Sequence, residues 1–223
     1  MGIILLLWLL APLSIFLGLI IFESVTITFL LFYGLVCFSI PAIDILIIQR
    51  KKLKECFTLL GFTNLRHTIL PAIIYGFLFC TSIFVFFVLL QKYVMNLSEI
   101  QAMLDSWNIN KKHVIPFMLT MVIANSLFEE IYWRGYIYKK LESLVSITKV
   151  IVVTSLFYAS YHLITTINLF SLFYGILFTL VIFSVGLFWG YMRKKYNSIY
   201  FPVVSHLLAD VGIMLIYFKY FGN

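Results

Sequence analysis

The chain has 223 residues, of which 63% are hydrophobic, 18% aromatic and only 11% charged. A soluble domain carries roughly 25% charged residues, so this composition excludes an ordinary water-soluble surface and places the chain in a membrane. The net charge of +7 raises nucleic acid as a partner, but the placement of the basic residues excludes it.

Spans of about 20 mostly apolar residues are predicted at 3–22, 25–48, 68–90, 114–138, 147–167, 169–192 and 199–220. The first lacks a basic leader and a small-residue cleavage site, so it reads as a retained span and not a signal peptide. Cys37, Cys56 and Cys80 are odd in number, and Cys37 and Cys80 lie in apolar runs; all three read as unpaired packing residues. Asp44 in the second span is within reach of Arg50 at its basic end. In the loop after the third span, Tyr93, Leu97, Ile100, Leu104 and Trp107 recur at helical spacing. Ser98 with Gln101 forms a capping box there, which predicts a short amphipathic helix on the outer membrane surface. The fifth and sixth spans meet at "ITTIN" with almost no loop. His67 and His113 sit at span ends and read as interfacial. Trp8, Trp107 and Trp189 read as packing or belt residues. The fold class is therefore all-α, a polytopic transmembrane helical bundle of about seven spans, forming a single membrane domain over 1–223.

The charges orient it. Arg50, Lys51, Lys52, Lys54 and Arg66 follow the second span. Lys139, Lys140 and Lys149 follow the fourth, and Arg193, Lys194 and Lys195 precede the seventh. In a seven-span chain these links share one side with the N-terminus. The other side has Lys92, Lys111, Lys112 and Lys219. Eleven against four makes the N-terminus cytoplasmic by the positive-inside rule. The basic residues thus meet anionic lipid.

Three constellations break the apolar pattern. An ionised group at the centre of a span costs roughly 2.5–3.5 kcal/mol. The stretch "SLFEEIYWRG" (residues 126–135) nevertheless holds three such groups within six residues. Glu130 and Arg134 are one turn apart and can pair, which lowers the cost of burying both. Glu129 is rotated from Glu130 by about 100° and has no such partner in its own helix. In the fifth span, "SLFYASYHLI" places His162 one turn from Tyr158. In the seventh, "FPVVSHLLADVG" places His206 and Asp210 on one face, where the carboxylate can orient the imidazole. A carboxylate with two histidines can activate water as a general base. The same set can also be read as a site for a divalent metal such as zinc. Each constellation has a plainer reading as a packed polar cluster. Together they admit a non-catalytic scaffold or a proton-coupled transporter as alternatives to an enzyme.

The ordered set Glu129-Glu130…Arg134, His162, and His206…Asp210 resembles the CPBP family. This family comprises type II CAAX prenyl endopeptidases and bacteriocin-processing and immunity proteins, and the resemblance covers about 115–215. It implies an intramembrane peptidase acting on membrane-associated peptides or proteins in a bacterial cell membrane. The family is often described as metalloproteases, but a metal-free glutamate mechanism fits it at least as well, so no cofactor is expected and a divalent metal such as zinc is the other reading. Glu129 would be the base, helped by His162. His206 and Asp210 would stabilise the oxyanion, and Glu130 and Arg134 would support the site. Two positions depart from the family pattern. Tyr158 stands where the family usually has Phe, and Asp210 where it often has Asn. An Asn amide can donate to an oxyanion, which an ionised Asp cannot do. No H-E-x-x-H, G-x-S-G or G-x-G-D motif points to another class of intramembrane protease. The oligomeric state is open.

Overall fold

The computed structural model describes residues 2–109 and 114–222. Lys111, Lys112 and His113 lie outside the described residues. Seven helices are long and apolar enough to cross a membrane, and no strand occurs among the described residues.

Helix α1 is Gly2–Ile21. It turns at Glu23, whose φ is 47°, and Ser24 caps the next helix by accepting from the Ile27 amide. Gly18 lets the two helices close up: a Cβ there would lie 2.6 Å from the Thr28 Cα. Helix α2 is Val25–Ile48. The basic link that follows contains a helix the sequence reading left out, α3, Leu53–Leu60. The Glu55 carboxylate caps it by accepting from the Lys52 amide at 2.8 Å. Gly61 ends it at φ 92°, a left-handed conformation that favours glycine.

Helix α4 is Leu65–Val94, longer than its predicted span. Its 30 residues rise about 45 Å, more than the ~30 Å hydrocarbon core. Tyr93 belongs to α4 and not to the following short helix, α5, Leu97–Ser106. The cap of α5 is Asn96, not the Ser98/Gln101 box. Asn96 Oδ1 accepts from the Glu99 amide and its Nδ2 donates to the Glu99 carboxylate. The apolar side of α5 is nonetheless where its spacing put it: Ile100 and Trp107 are buried. The Trp107 carbonyl accepts from Val25, so this segment packs on the α1–α2 turn.

Helix α6 is Val114–Glu142, α7 is Ile147–Phe170, α8 is Leu172–Tyr196 and α9 is Tyr200–Tyr220. The α7–α8 turn is the single residue Ser171 at φ 82°, past the expected junction at 164–168. In α6, two wide π-type stretches, Thr120–Asn125 and Ile131–Ile137, flank the glutamates. Similar widened turns interrupt α1 at Leu17–Ile21 and α2 at Leu30–Ser39 and Ile43–Ile48.

Helix α9 is the centre of the bundle, 61% buried over its membrane window against 11% for α4. Small residues let α4 and α9 approach. A Cβ on Gly212 would lie 2.8 Å from the Cys80 carbonyl oxygen, and one on Gly76 would lie 3.1 Å from the Ser205 Cα.

The basic links gather at one end. Ile199 donates its amide to Gly61, Thr63 donates to the Asn197 carbonyl, and Lys140 pairs with Asp44 at 2.7 Å. Asp44 thus serves Lys140 and the Tyr136 hydroxyl and does not pair with Arg50. Arg193 turns inward, is buried, and donates Nε to the Arg134 carbonyl.

Candidate active site

Glu130 is the hub. It lies in α6 with no solvent exposure, and its Oε1 accepts from Arg134 Nη1 and His206 Nδ1, both at 3.0 Å. The first contact is the expected one-turn pair. The second crosses to α9, so Glu130 also orients His206. Arg134 extends Nη2 to the Gly186 carbonyl of α8 at 3.3 Å. Its guanidinium lies 4.3 Å from the Tyr158 ring centroid and 5.4 Å from that of Trp189. Cation–π contacts of this kind stabilise a desolvated guanidinium.

His206 lies against Trp189, their rings 4.4 Å apart and 27° from parallel. Trp189 is itself fixed by donating Nε1 to Ser205 at 2.9 Å. It is a wall of the site and not a belt residue. Asp210 is one turn from His206, as its spacing predicts, but its Oδ2 is 3.6 Å from His206 Nε2, beyond hydrogen-bond reach. A residue the sequence reading passed over stands beside both. Asn125 donates Nδ2 to Asp210 at 2.9 Å and lies 3.4 Å from His206 Nε2. The Tyr33 hydroxyl of α2 donates to Asn125 Oδ1 at 2.6 Å. Asn125 precedes Glu129 by one turn in an apolar run, which was the available signal. Tyr33 is one of 14 tyrosines and carried none.

His162 stands apart from this network. Its Nδ1 is 2.9 Å from the Tyr158 carbonyl of its own helix. A carbonyl only accepts, so Nδ1 carries the proton and the Nε2 lone pair of the neutral ring is free. The ring packs 4.3 Å from that of Tyr161 and 4.7 Å from that of Tyr158. Tyr158, in the place expected for Phe, thus bridges the two histidines: its ring faces His162 on one side and His206, at 6.2 Å, on another.

Glu129 is buried, and no hydrogen bond joins it to His162 among the described residues. Among the described residues its Oε2 has no hydrogen-bond partner within range, and neither do Glu130 Oε2, Trp133 Nε1, Arg134 Nε and the Tyr161 hydroxyl, although Tyr161 is the hydroxyl that faces the Glu129 carboxylate. Leaving a buried polar atom unbonded costs about 1–3 kcal/mol. All five belong to residues 129–134 and 161, so the unsatisfied polar groups concentrate around the glutamates.

The depths of these residues explain the convergence. Glu129 is thirteen residues from the end of α6 and His162 fifteen from the start of α7, about 20 and 22 Å of rise. His206 is only six residues into α9. It reaches the same layer because α9 starts inside the protein, where Ser198 and Ile199 are fully buried.

Among the described residues, no three His, Cys, Asp or Glu side chains converge as a metal centre requires. The donor set explains why. His206 Nδ1 is committed to Glu130, its Nε2 faces Asn125, and His162 Nδ1 is held by Tyr158.

Residues 111–212 match the family described as Type II CAAX prenyl endopeptidase Rce1-like, and every site residue expected from the sequence falls within them. The chain is 29% identical over 108 residues to CAAX prenyl protease 2 of Methanococcus maripaludis, a match covering 44% of this chain and 40% of that relative. The chain therefore spans well under half of that relative's length. No solved structure matches it.

Proposed function

From an Rce1-like segment at residues 111–212, we propose that this protein is an intramembrane endopeptidase that cleaves membrane-associated peptides or proteins with a Glu129-activated water. The observation that carries this is the buried Glu129 carboxylate with an unpartnered oxygen, next to a network that fixes His206 from two sides. A carboxylate kept out of ion pairs inside a bundle is held for chemistry more economically than for packing.

In this mechanism Glu129 takes a proton from water, and the free Nε2 of His162 accepts the other water hydrogen bond. The water oxygen bonds to the scissile carbonyl carbon, and the carbonyl oxygen becomes an oxyanion. His206, protonated on both ring nitrogens, donates Nδ1–H to Glu130 and Nε2–H to that oxyanion. Collapse of the intermediate breaks the C–N bond, and Glu129 returns its proton to the leaving amine. Donors fixed before reaction in a dry site are worth more than in water. Asp210 acts by holding Asn125 and the face of α9. Glu130 and Arg134 support the ring of His206.

The proposed substrates are prenylated CAAX proteins, peptide pheromones or bacteriocin leaders. The proposed location is a bacterial cell membrane with the N-terminus cytoplasmic, which the gathering of basic links at one end supports. The Tyr33–Asn125 bond supports α2 as part of the same functional unit, residues 1–223 acting as one domain.

The test is comparative peptidomics of membranes from wild-type cells and a Glu129→Gln strain. The expected result is a set of peptides whose cleaved forms vanish in the variant. Identical peptide sets at equal protein abundance would count against the peptidase and favour a scaffold.

A further inference from the structure

We infer that Asn125 is a further catalytic residue, its side-chain amide serving as an oxyanion donor beside His206, and that Tyr33 is the positioning residue that fixes the direction of that amide. The inference rests on the peptidase reading of this site.

A carboxylate such as Asp210, when ionised, only accepts hydrogen bonds. His206 has one ring nitrogen engaged by Glu130, leaving one to offer. Asn125 brings two amide hydrogens to the same place. Its orientation is chemically determined: ionised Asp210 only accepts, so the amide nitrogen faces it, and the amide oxygen accepts from the Tyr33 hydroxyl at 2.6 Å. The amide nitrogen is therefore turned toward α9. One N–H is used at 2.9 Å by Asp210. The nitrogen also lies 3.4 Å from His206 Nε2, at the weak limit for a hydrogen bond. With His206 protonated on both nitrogens between the Glu130 and Asp210 carboxylates, Nε2–H is a donor and makes no hydrogen bond to the Asn125 nitrogen, whose second N–H is left free and directed to the spot that His206 Nε2 addresses. An oxygen that gains negative charge there meets two donors.

Tyr33 and Asn125 are both buried, so water does not compete for these bonds and the donors retain their full effect. Asn125 and Glu129 lie one turn apart on α6, which puts base and donor on one helix face. Asn125 transfers no proton; it only donates hydrogen bonds, and Asp210 and Tyr33 hold it from its two ends.

The experiment uses the purified full chain in lipid nanodiscs with a fluorogenic peptide carrying a farnesylated C-terminal CAAX sequence. It measures kcat, KM and melting temperature for wild type, Glu129→Gln, Asn125→Leu and Tyr33→Phe. Loss of one oxyanion donor lowers kcat about 10²–10³-fold, and this is expected of Asn125→Leu with KM nearly unchanged. Tyr33→Phe keeps the ring and removes the lock, so kcat falls by roughly 10-fold or more at nearly unchanged KM. If wild type cleaves faster than Glu129→Gln while folded Asn125→Leu and Tyr33→Phe match wild type in kcat, the inference is overturned and the peptidase reading stands. If Asn125→Leu does not fold, Tyr33→Phe decides in the same way. If wild type is no faster than Glu129→Gln on this peptide and the membrane peptides of the two strains are also identical, the peptidase reading fails and takes the inference with it; if the peptides differ, the same four variants are compared on a peptide whose cleavage was lost in the Glu129→Gln strain.

Discussion

His206 Nδ1 lies 3.0 Å from Glu130 Oε1, the same oxygen that accepts from Arg134. One carboxylate oxygen thus ties the seventh span to the fourth and neutralises a fully buried arginine. Glu130→Gln therefore has two consequences. Removing one partner of a buried pair costs about 3–5 kcal/mol, so the melting temperature falls. The folded fraction also cleaves more slowly, because His206 loses its anchor. Adding Arg134→Gln removes the stranded charge and restores part of the stability without restoring cleavage. Thermal melts and cleavage per folded molecule in the single and double variants check this. A stable but inactive Glu130→Gln would instead exchange the roles of the two glutamates.

His162 offers a cleaner separation of catalysis from folding. Among the described residues, its one side-chain hydrogen bond runs to Tyr158 within its own helix, and it packs ring to ring on Tyr158 and Tyr161. His162→Phe preserves those faces and removes both nitrogens. Cleavage is expected to fall about 10²–10⁴-fold, as loss of acid–base assistance does, with melting close to wild type. A variant that melts early yet cleaves normally per folded molecule would make His162 a packing residue.

The packing of α4 on α9 carries its own prediction. A Cβ on Gly212 meets Cys80 backbone atoms at 2.8 and 3.0 Å, whereas one on Gly34 meets nothing within 4 Å. Backbone cannot yield as a side-chain tip can, and overpacking costs typically about 1–3 kcal/mol. Gly212→Leu should lower melting and abundance while Gly34→Leu does neither. Equal behaviour of the two variants would show that α9 does not sit against α4 in this way.

The spans were readable because bilayer thickness forces long apolar runs, and the glutamates, histidines, arginine and aspartate because ionisable groups in such runs are too costly to be incidental. The partners of these groups were not readable. Asn125, Tyr33 and Trp189 are uncharged, and in a chain with 14 tyrosines nothing marks one of them. Asp44 was assigned to Arg50 on helical reach, but its partner Lys140 comes from 96 positions away in α6, a distance no local rule spans. Helix α5 was placed within a few residues, yet its cap was misread: Tyr93 extends the preceding helix, and Asn96 holds the cap position that Ser98 had been given. The third polar motif was legible as a face, but the hydrogen bond of Asp210 runs to Asn125, which joins it from another span.

The account turns on Glu129, and the measurement that tests it most directly is the cleavage rate per folded molecule of Glu129→Gln beside wild type, in nanodiscs with the farnesylated peptide. Gln keeps the shape and the hydrogen bonding and removes the base. The account predicts a fall of about 10²–10⁴-fold or more with melting at or above the wild-type value, since a buried carboxylate has been replaced by a neutral amide. Cleavage at the wild-type rate by a folded Glu129→Gln protein would contradict it.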